Sequence, residues 1–365
     1  MDSAFTIDRA DTATRAAAAR ARLPDDVAML RTAAELTRDL GDARPLIYWS
    51  DFLGSAAIGY AGLYGAVTLG GGWAVLCGIV AVLALYRGMS FIHEVTHVKH
   101  ATLPGFRIAY NLVVGIPLLI PSFMYEGVHN LHHTRVRYGT ADDPEYLPLA
   151  RMKPWSLPLF VIVAALAPVG LLLRYGLLAP LSLVNPSLRA AIVARYSSLQ
   201  INPAFRRRAP EGDLAAQWRW QEAGASLWAI ALLALAATGA MPLRTFLIVL
   251  GVASSVAVLN QVRTLVAHLW ENDGEPMTVT AQYLDSVNVP PPALLPALWA
   301  PVGLRYHALH HLLPSLPYHA LGEAHRRLAA ALGADSPYHR GNHPGLGRLV
   351  GRIAASTMRG KNARV

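Results

Sequence analysis

Cysteine is nearly absent from this chain, charge is scarce, and acidic residues are the scarcer sign. The single cysteine, Cys77, lies inside an apolar run, which excludes a disulfide framework and any cysteine-based metal site. Charged residues are 15% of the 365 and hydrophobic residues 53%. A water-soluble domain carries about 25% charged residues, so the deficit points to a membrane as solvent rather than to an outsized core. Asp and Glu number 23 against 32 Lys and Arg, a formal charge of +9 supplied almost entirely by arginine. In a membrane protein such an excess is read first as loops facing the cytoplasm, beside anionic lipid. No arginine–aromatic stripe or nucleic-acid module accompanies it, so no nucleic-acid partner is expected. Residues 1–44 lack the apolar stretch of a signal peptide and read as a cytosolic tail with amphipathic helical content.

What is present, first, is apolar length. From Pro45 to Tyr86 the only charge is Asp51. A bilayer span takes about 20 apolar residues, so this stretch holds two, turning at Gly70-Gly71-Gly72. Arg87 then marks the return to the cytoplasmic side. Two further spans are expected over Ala223–Met241 and from Phe246 to about Val262, turning at Pro242-Leu243-Arg244. Ile108–Met124 contains Pro117 and Pro121 and is expected to be shallow or re-entrant. Trp155–Leu183 is interrupted by Pro158, Pro168, Arg174 and Pro180. Arg189, Arg195 and the run Arg206-Arg207-Arg208 follow it, and it is expected not to cross. The expected fold class is therefore an all-α integral membrane protein: four transmembrane helices, interfacial or re-entrant helices, and a cytosolic cap. A tail over 1–44 precedes a membrane domain over 45–335, and a second cytosolic tail spans 336–365.

Second, there are histidines in three short windows: His93-Glu94-Val95-Thr96-His97-Val98-Lys99-His100, His129-Asn130-Leu131-His132-His133 and His307-Ala308-Leu309-His310-His311. Helical positions i, i+3, i+4 and i+7 share a face, so each window aims its imidazoles one way. Neutral imidazole is the commonest metal-ligand side chain, and these are more than one zinc needs. A two-metal site held mostly by nitrogen, which suits iron, is the simplest chemistry for the surplus. The first window alone also matches the zinc-protease pattern HExxH, with Glu94 as base. That reading leaves the other two windows unexplained. A histidine-rich metal transporter would want polar residues within the spans, and these are apolar.

In order and spacing the three windows resemble the histidine boxes of the integral-membrane fatty acid desaturase and hydroxylase superfamily, HxxxH, HxxHH and HxxHH. The likeness covers roughly residues 45–335. Thr134-Arg135-Val136-Arg137 to Asp142-Asp143-Pro144-Glu145 looks like the family's continuation after the second box. Leu312-Leu313-Pro314-Ser315-Leu316-Pro317-Tyr318-His319 is similar to the ending of bacterial acyl desaturases. The resemblance implies two iron ions ligated by His93 and His97, by His129, His132 and His133, and by His307, His310 and His311. His268, shortly before the third box, matches the family's isolated ligand. His100 divides evenly between ligand and support. Carboxylates that accept the outer N–H of ligating imidazoles are expected among Glu94, Asp142, Asp143, Glu145, Glu271 and Asp273, with His319 as a further supporting residue. His325, His339 and His343 read as ordinary surface histidines.

The activity so implied is O2-dependent desaturation of a lipid acyl chain, with hydroxylation of a lipid, alkane or terpenoid as the alternative. No side chain beyond the metal centre is assigned a catalytic role. Electrons are expected from a separate ferredoxin, rubredoxin or cytochrome-type donor, since one cysteine cannot build a rubredoxin or iron–sulfur centre and no fused cytochrome segment is read in the chain. The expected setting is a bacterial inner membrane, with the site and both termini on the cytoplasmic side.

Overall fold

The structure is a computed structural model that describes residues 23–149, 152, 153 and 155–359. The first 22 residues of the expected N-terminal tail lie outside the described residues. Its described regular elements are helical, and the β pairing among the described residues is confined to the isolated bridges His268–Ser286, Asn288–Tyr306 and Asn288–Asn342. The all-α membrane class stands. Five helices are long: α1 (Pro45–Thr68), α2 (Gly71–His97), α3 (Ser156–Leu181), α4 (Gly212–Ala237) and α5 (Leu243–Leu265). Four of them, α2 to α5, are long and apolar enough to cross a membrane.

By length and composition, as many helices qualify as the spans expected, and α3 is among them. α3 occupies the stretch expected not to cross, and the helix accommodates its interruptions. Pro158 sits in the first turn, where a missing N–H breaks no helical bond. Pro168 lies inside the helix, and the π-turn Arg174–Leu178 carries the chain on to Leu181. Arg174 is buried but paired, donating to Glu222 Oε1 at 2.6 Å and to Ser197 Oγ at 2.9 Å. Glu222 also accepts from Arg189 at 2.7 Å. Arg207, read as a loop charge, is buried over the Trp218 ring and donates to the carbonyls of Phe123 and Glu126. Part of the arginine excess is thus structural and says nothing about sidedness.

The described residues form two compact units, one within 43–130 and 161–262, the other within 23–42, 131–160 and 263–359. In the first, the span unit, α1 and α2 turn at Leu69-Gly70 and approach closely along Gly59, Gly62 and Gly65. A Cβ on Gly62 would stand 2.9 Å from the Cys77 carbonyl oxygen and the Ala81 nitrogen. Small residues at this spacing let apolar helices pack backbone to backbone where no hydrophobic force drives them together. α2 runs on past Arg87 to His97. The Arg87 guanidinium forms a fork with Asp51 of α1 at 2.5 and 2.6 Å, which neutralises both charges. Ile108–Met124 is broken as expected. Phe106–Tyr110 leads into a π-turn at Asn111–Gly115, and the chain doubles back at Leu119 with φ of +59°. Asn111 ties the return, accepting from the Ser122 N–H at 2.8 Å and donating to Ser122 Oγ at 2.9 Å.

The second, terminal unit takes its core from both ends of the chain. Met29 of the helix Val27–Leu36 packs with Tyr283, Leu309, Leu321, Leu328 and Tyr338. Tyr338 is fully buried, and Leu349 and Ile353 of the last helix are 1% exposed. The stretches expected as tails therefore supply core.

Candidate metal centre

In the span unit the first box closes α2. Fully helical geometry up to His97 puts His93 and His97 one turn apart, with ring centroids 4.7 Å apart. His129 joins them, at 4.8 Å from His93 and 5.0 Å from His97. Val98 turns extended and ends the helix. The i+7 relation that would align His100 with the pair therefore does not hold. His100 is exposed, 2.9 Å from Arg107 and 3.6 Å from Glu126. Glu94 is buried behind the box, where it accepts from the Tyr48 hydroxyl at 2.5 Å and lies 3.4 Å from His93 Nδ1. Tyr125, one turn before His129, meets its Nδ1 at 2.8 Å.

The terminal unit gathers the rest. His132, His268, His307 and His311 are all buried, and their ligand atoms lie within 4.8 Å of one another. The Nε2 atoms of His268 and His307 are 3.1 Å apart, and those of His307 and His311 3.2 Å. Nitrogens held about 2.1 Å from one ion at tetrahedral or octahedral angles stand roughly 3.0–3.4 Å apart, so the donor set fits a metal. His133 and His310 form a second close pair, Nε2 to Nε2 at 3.1 Å.

Two of the opposite ring nitrogens, those of His132 and His268, have partners of the kind a ligand needs. His132 Nδ1 lies 2.9 and 3.0 Å from the two oxygens of fully buried Asp143. Asp143 is itself fixed by the N–H groups of Gly139 and Glu145. His268 Nδ1 is 2.8 Å from the Tyr138 hydroxyl, which donates to buried Asp285 at 3.0 Å. Such contacts hold the proton on Nδ1 and leave Nε2 with its lone pair inward. Burial, then the neighbouring imidazoles, push His268, His307 and His311 well below the usual histidine range, so they stay neutral and able to ligate. Burial also works to lower His132, but the Asp143 carboxylate, with Glu145 and Asp285, raises it overall.

Of the expected supporting carboxylates, Glu94 and Asp143 touch box histidines and Glu145 acts on His132 by charge. Asp142 and Asp273 are exposed, and Glu271 pairs with Arg352 at 3.2 Å. His319 sits on the turn Tyr318–Ala320, half-buried and outside the histidine groups. His325 is a correction. It is buried, with Nδ1 2.8 Å from the Tyr338 hydroxyl, because an amphipathic helix turns it inward. Tyr138, Asp285 and Tyr125 were not anticipated. Tyr125 has a sequence signal, one helical turn before a box histidine, whereas nothing local marks Asp285.

The fatty acid desaturase family model matches residues 71–342, which includes all three boxes and His268. The chain belongs to the fatty acid desaturase family. A relative from Caulobacter vibrioides, named ceramide hydroxylase, is 50% identical over 348 residues, covering 94% of this chain and 97% of its own. Within the family this similarity favours the hydroxylase alternative over the desaturase expectation. The resemblance first read from the boxes is thus confirmed at the level of family, membrane setting and oxidoreductase class.

Proposed function

We propose that this protein is an O2-dependent hydroxylase of a ceramide-type lipid, working with two iron ions held by imidazole. The observation that carries this reading is 50% identity, over almost the whole chain, to a relative that bears that name. His132, His268, His307 and His311 would hold one iron, and His93, His97 and His129 would serve the other. His133 and His310 are further ligands that the resemblance names. When bound, ferrous iron supplies the reduction of O2 and the oxidising power to open an unactivated C–H bond.

The chain's own residues do the rest. Asp143 and Tyr138 keep the Nδ1 protons of His132 and His268 outward, so that the Nε2 lone pairs stay available. The near-complete burial of His129, His132, His268, His307 and His310 keeps bulk water from the ligands. The balanced reaction consumes a lipid C–H, O2, two electrons and two protons, and yields an alcohol and water. The electrons come from a separate donor of the ferredoxin, rubredoxin or cytochrome class. The reading places the site and both termini on the cytoplasmic side, where such donors are found.

The test is expression in a host supplied with a ceramide, followed by mass spectrometry of its lipids under 18O2. Hydroxylation adds one labelled oxygen to the substrate, and His310→Ala abolishes it. A product that has lost two hydrogens and gained no label would return the reading to desaturation. A protein that holds zinc alone after ferrous reconstitution, and oxidises nothing, would overturn both.

A further inference from the structure

The terminal unit carries an uncharged loop next to the end of α5. From Val289 to Leu304 there is no Asp, Glu, Lys, Arg or His. The ends of this stretch are fastened. The Val289 N–H donates to the Arg305 carbonyl at 2.7 Å, while the Arg305 guanidinium donates to the carbonyls of Val289 and Ala293, both at 2.8 Å. Pro290, Pro291, Pro292 and Pro296 stiffen what the fastening closes. The tip is then apolar and bare: Leu294 is 82% exposed, Leu295 70% and Leu298 50%. Single surface leucines need no explanation, but three together on a stiffened loop do.

The loop's root identifies what covers the tip. Arg263 is the basic residue in the last turn of α5, where that apolar helix ends. Arg263, Val266, Val289, Trp299 and Leu304 line one small cavity, and the Val287 N–H donates to the Ala267 carbonyl at 3.0 Å. The root of the loop therefore adjoins the last turn of α5. A basic root, a tryptophan at the shoulder and aliphatic side chains at the tip match the layering of a membrane interface. A second copy of the chain fits less well. Three leucine side chains offer a few hundred Å2 at most, short of the roughly 800 Å2 per partner of a stable protein interface.

We propose that the loop Pro290–Leu304 is a membrane anchor, its leucines seated in the acyl boundary of the bilayer beside the end of α5. This assignment is independent of the reaction the metal centre performs.

A fluorescent label tests it. In a Cys77→Ser background, Leu294→Cys carries an environment-sensitive dye, and Asp335→Cys, an exposed polar site of the same unit, serves as the reference. The full chain is reconstituted in vesicles of phosphatidylcholine and phosphatidylglycerol containing spin-labelled lipid. The dye at position 294 is expected to shift to the blue and to be quenched by the spin-labelled lipid but not by aqueous iodide, with the reverse at position 335. Equal iodide quenching at both sites overturns the anchor. A dye at 294 protected from both quenchers also overturns it and assigns the patch to a contact between copies.

Discussion

Asp143 is the residue on which the terminal cluster's electrostatics turn. It has no solvent exposure, and both of its oxygens lie within 3.0 Å of His132 Nδ1. Asp143→Asn keeps the shape but removes the charge that orients and enriches this ligand. Metal affinity is expected to fall about 10–100-fold, with protein yield little changed, as read by iron per chain after dialysis against a graded chelator. His325 gives a pH prediction away from the metals. Burial, with Arg305 and His339, lowers it from the ordinary 6.5 to about 4. Because the folded value lies below the unfolded one, the unfolded chain binds the proton first. The stability this neutral histidine contributes is full above pH 6.5 and is lost as pH falls toward 4. His325→Gln should flatten that part of the stability profile, measured as melting temperature from pH 7 to 4. A variant as acid-sensitive as the parent would assign the loss to other groups.

At the scale of elements, the pairing of α1 with α2 depends on missing side chains. Gly62 faces backbone atoms of α2 at distances no Cβ tolerates, while Gly54 on the same helix has nothing within 4 Å. Gly62→Leu is expected to destabilise by at least about 1–3 kcal/mol, the usual cost of forcing volume into a packed contact. Gly54→Ala should be neutral or slightly stabilising, since alanine is the better helix former. Comparing thermal unfolding of the two variants in one detergent makes the contrast a single experiment. The same scale explains why α3 escaped sequence reasoning. Prolines and a lone arginine in an apolar run look like interruptions, yet each is neutralised by something remote or geometric. For Arg174 that partner is Glu222, which stands 48 residues away.

For the whole molecule, the clustered histidines of the terminal unit come from three stretches of chain, at 132–133, 268 and 307–311. A metal bound there joins segments far apart in sequence, so it should stabilise the fold by mass action. Chelator treatment is expected to lower the melting temperature, and ferrous iron to restore it. A melting point indifferent to metal would mean that the donor set is not loaded in the folded protein.

The family, the membrane class, the three boxes and the place of His268 were legible in the sequence, because ligand spacing on a helix is local and apolar length is additive. The end of α2 at His97, which separates His100 from the box, was not legible, since it depends on where one backbone turn stops. Nor were the partners Tyr138 and Asp285, the buried state of His325, or the core roles of Met29 and Tyr338. Each of those rests on which distant segments meet. Only tertiary packing decides that, because a charge or ring becomes a neighbour through three-dimensional contact and not through sequence spacing.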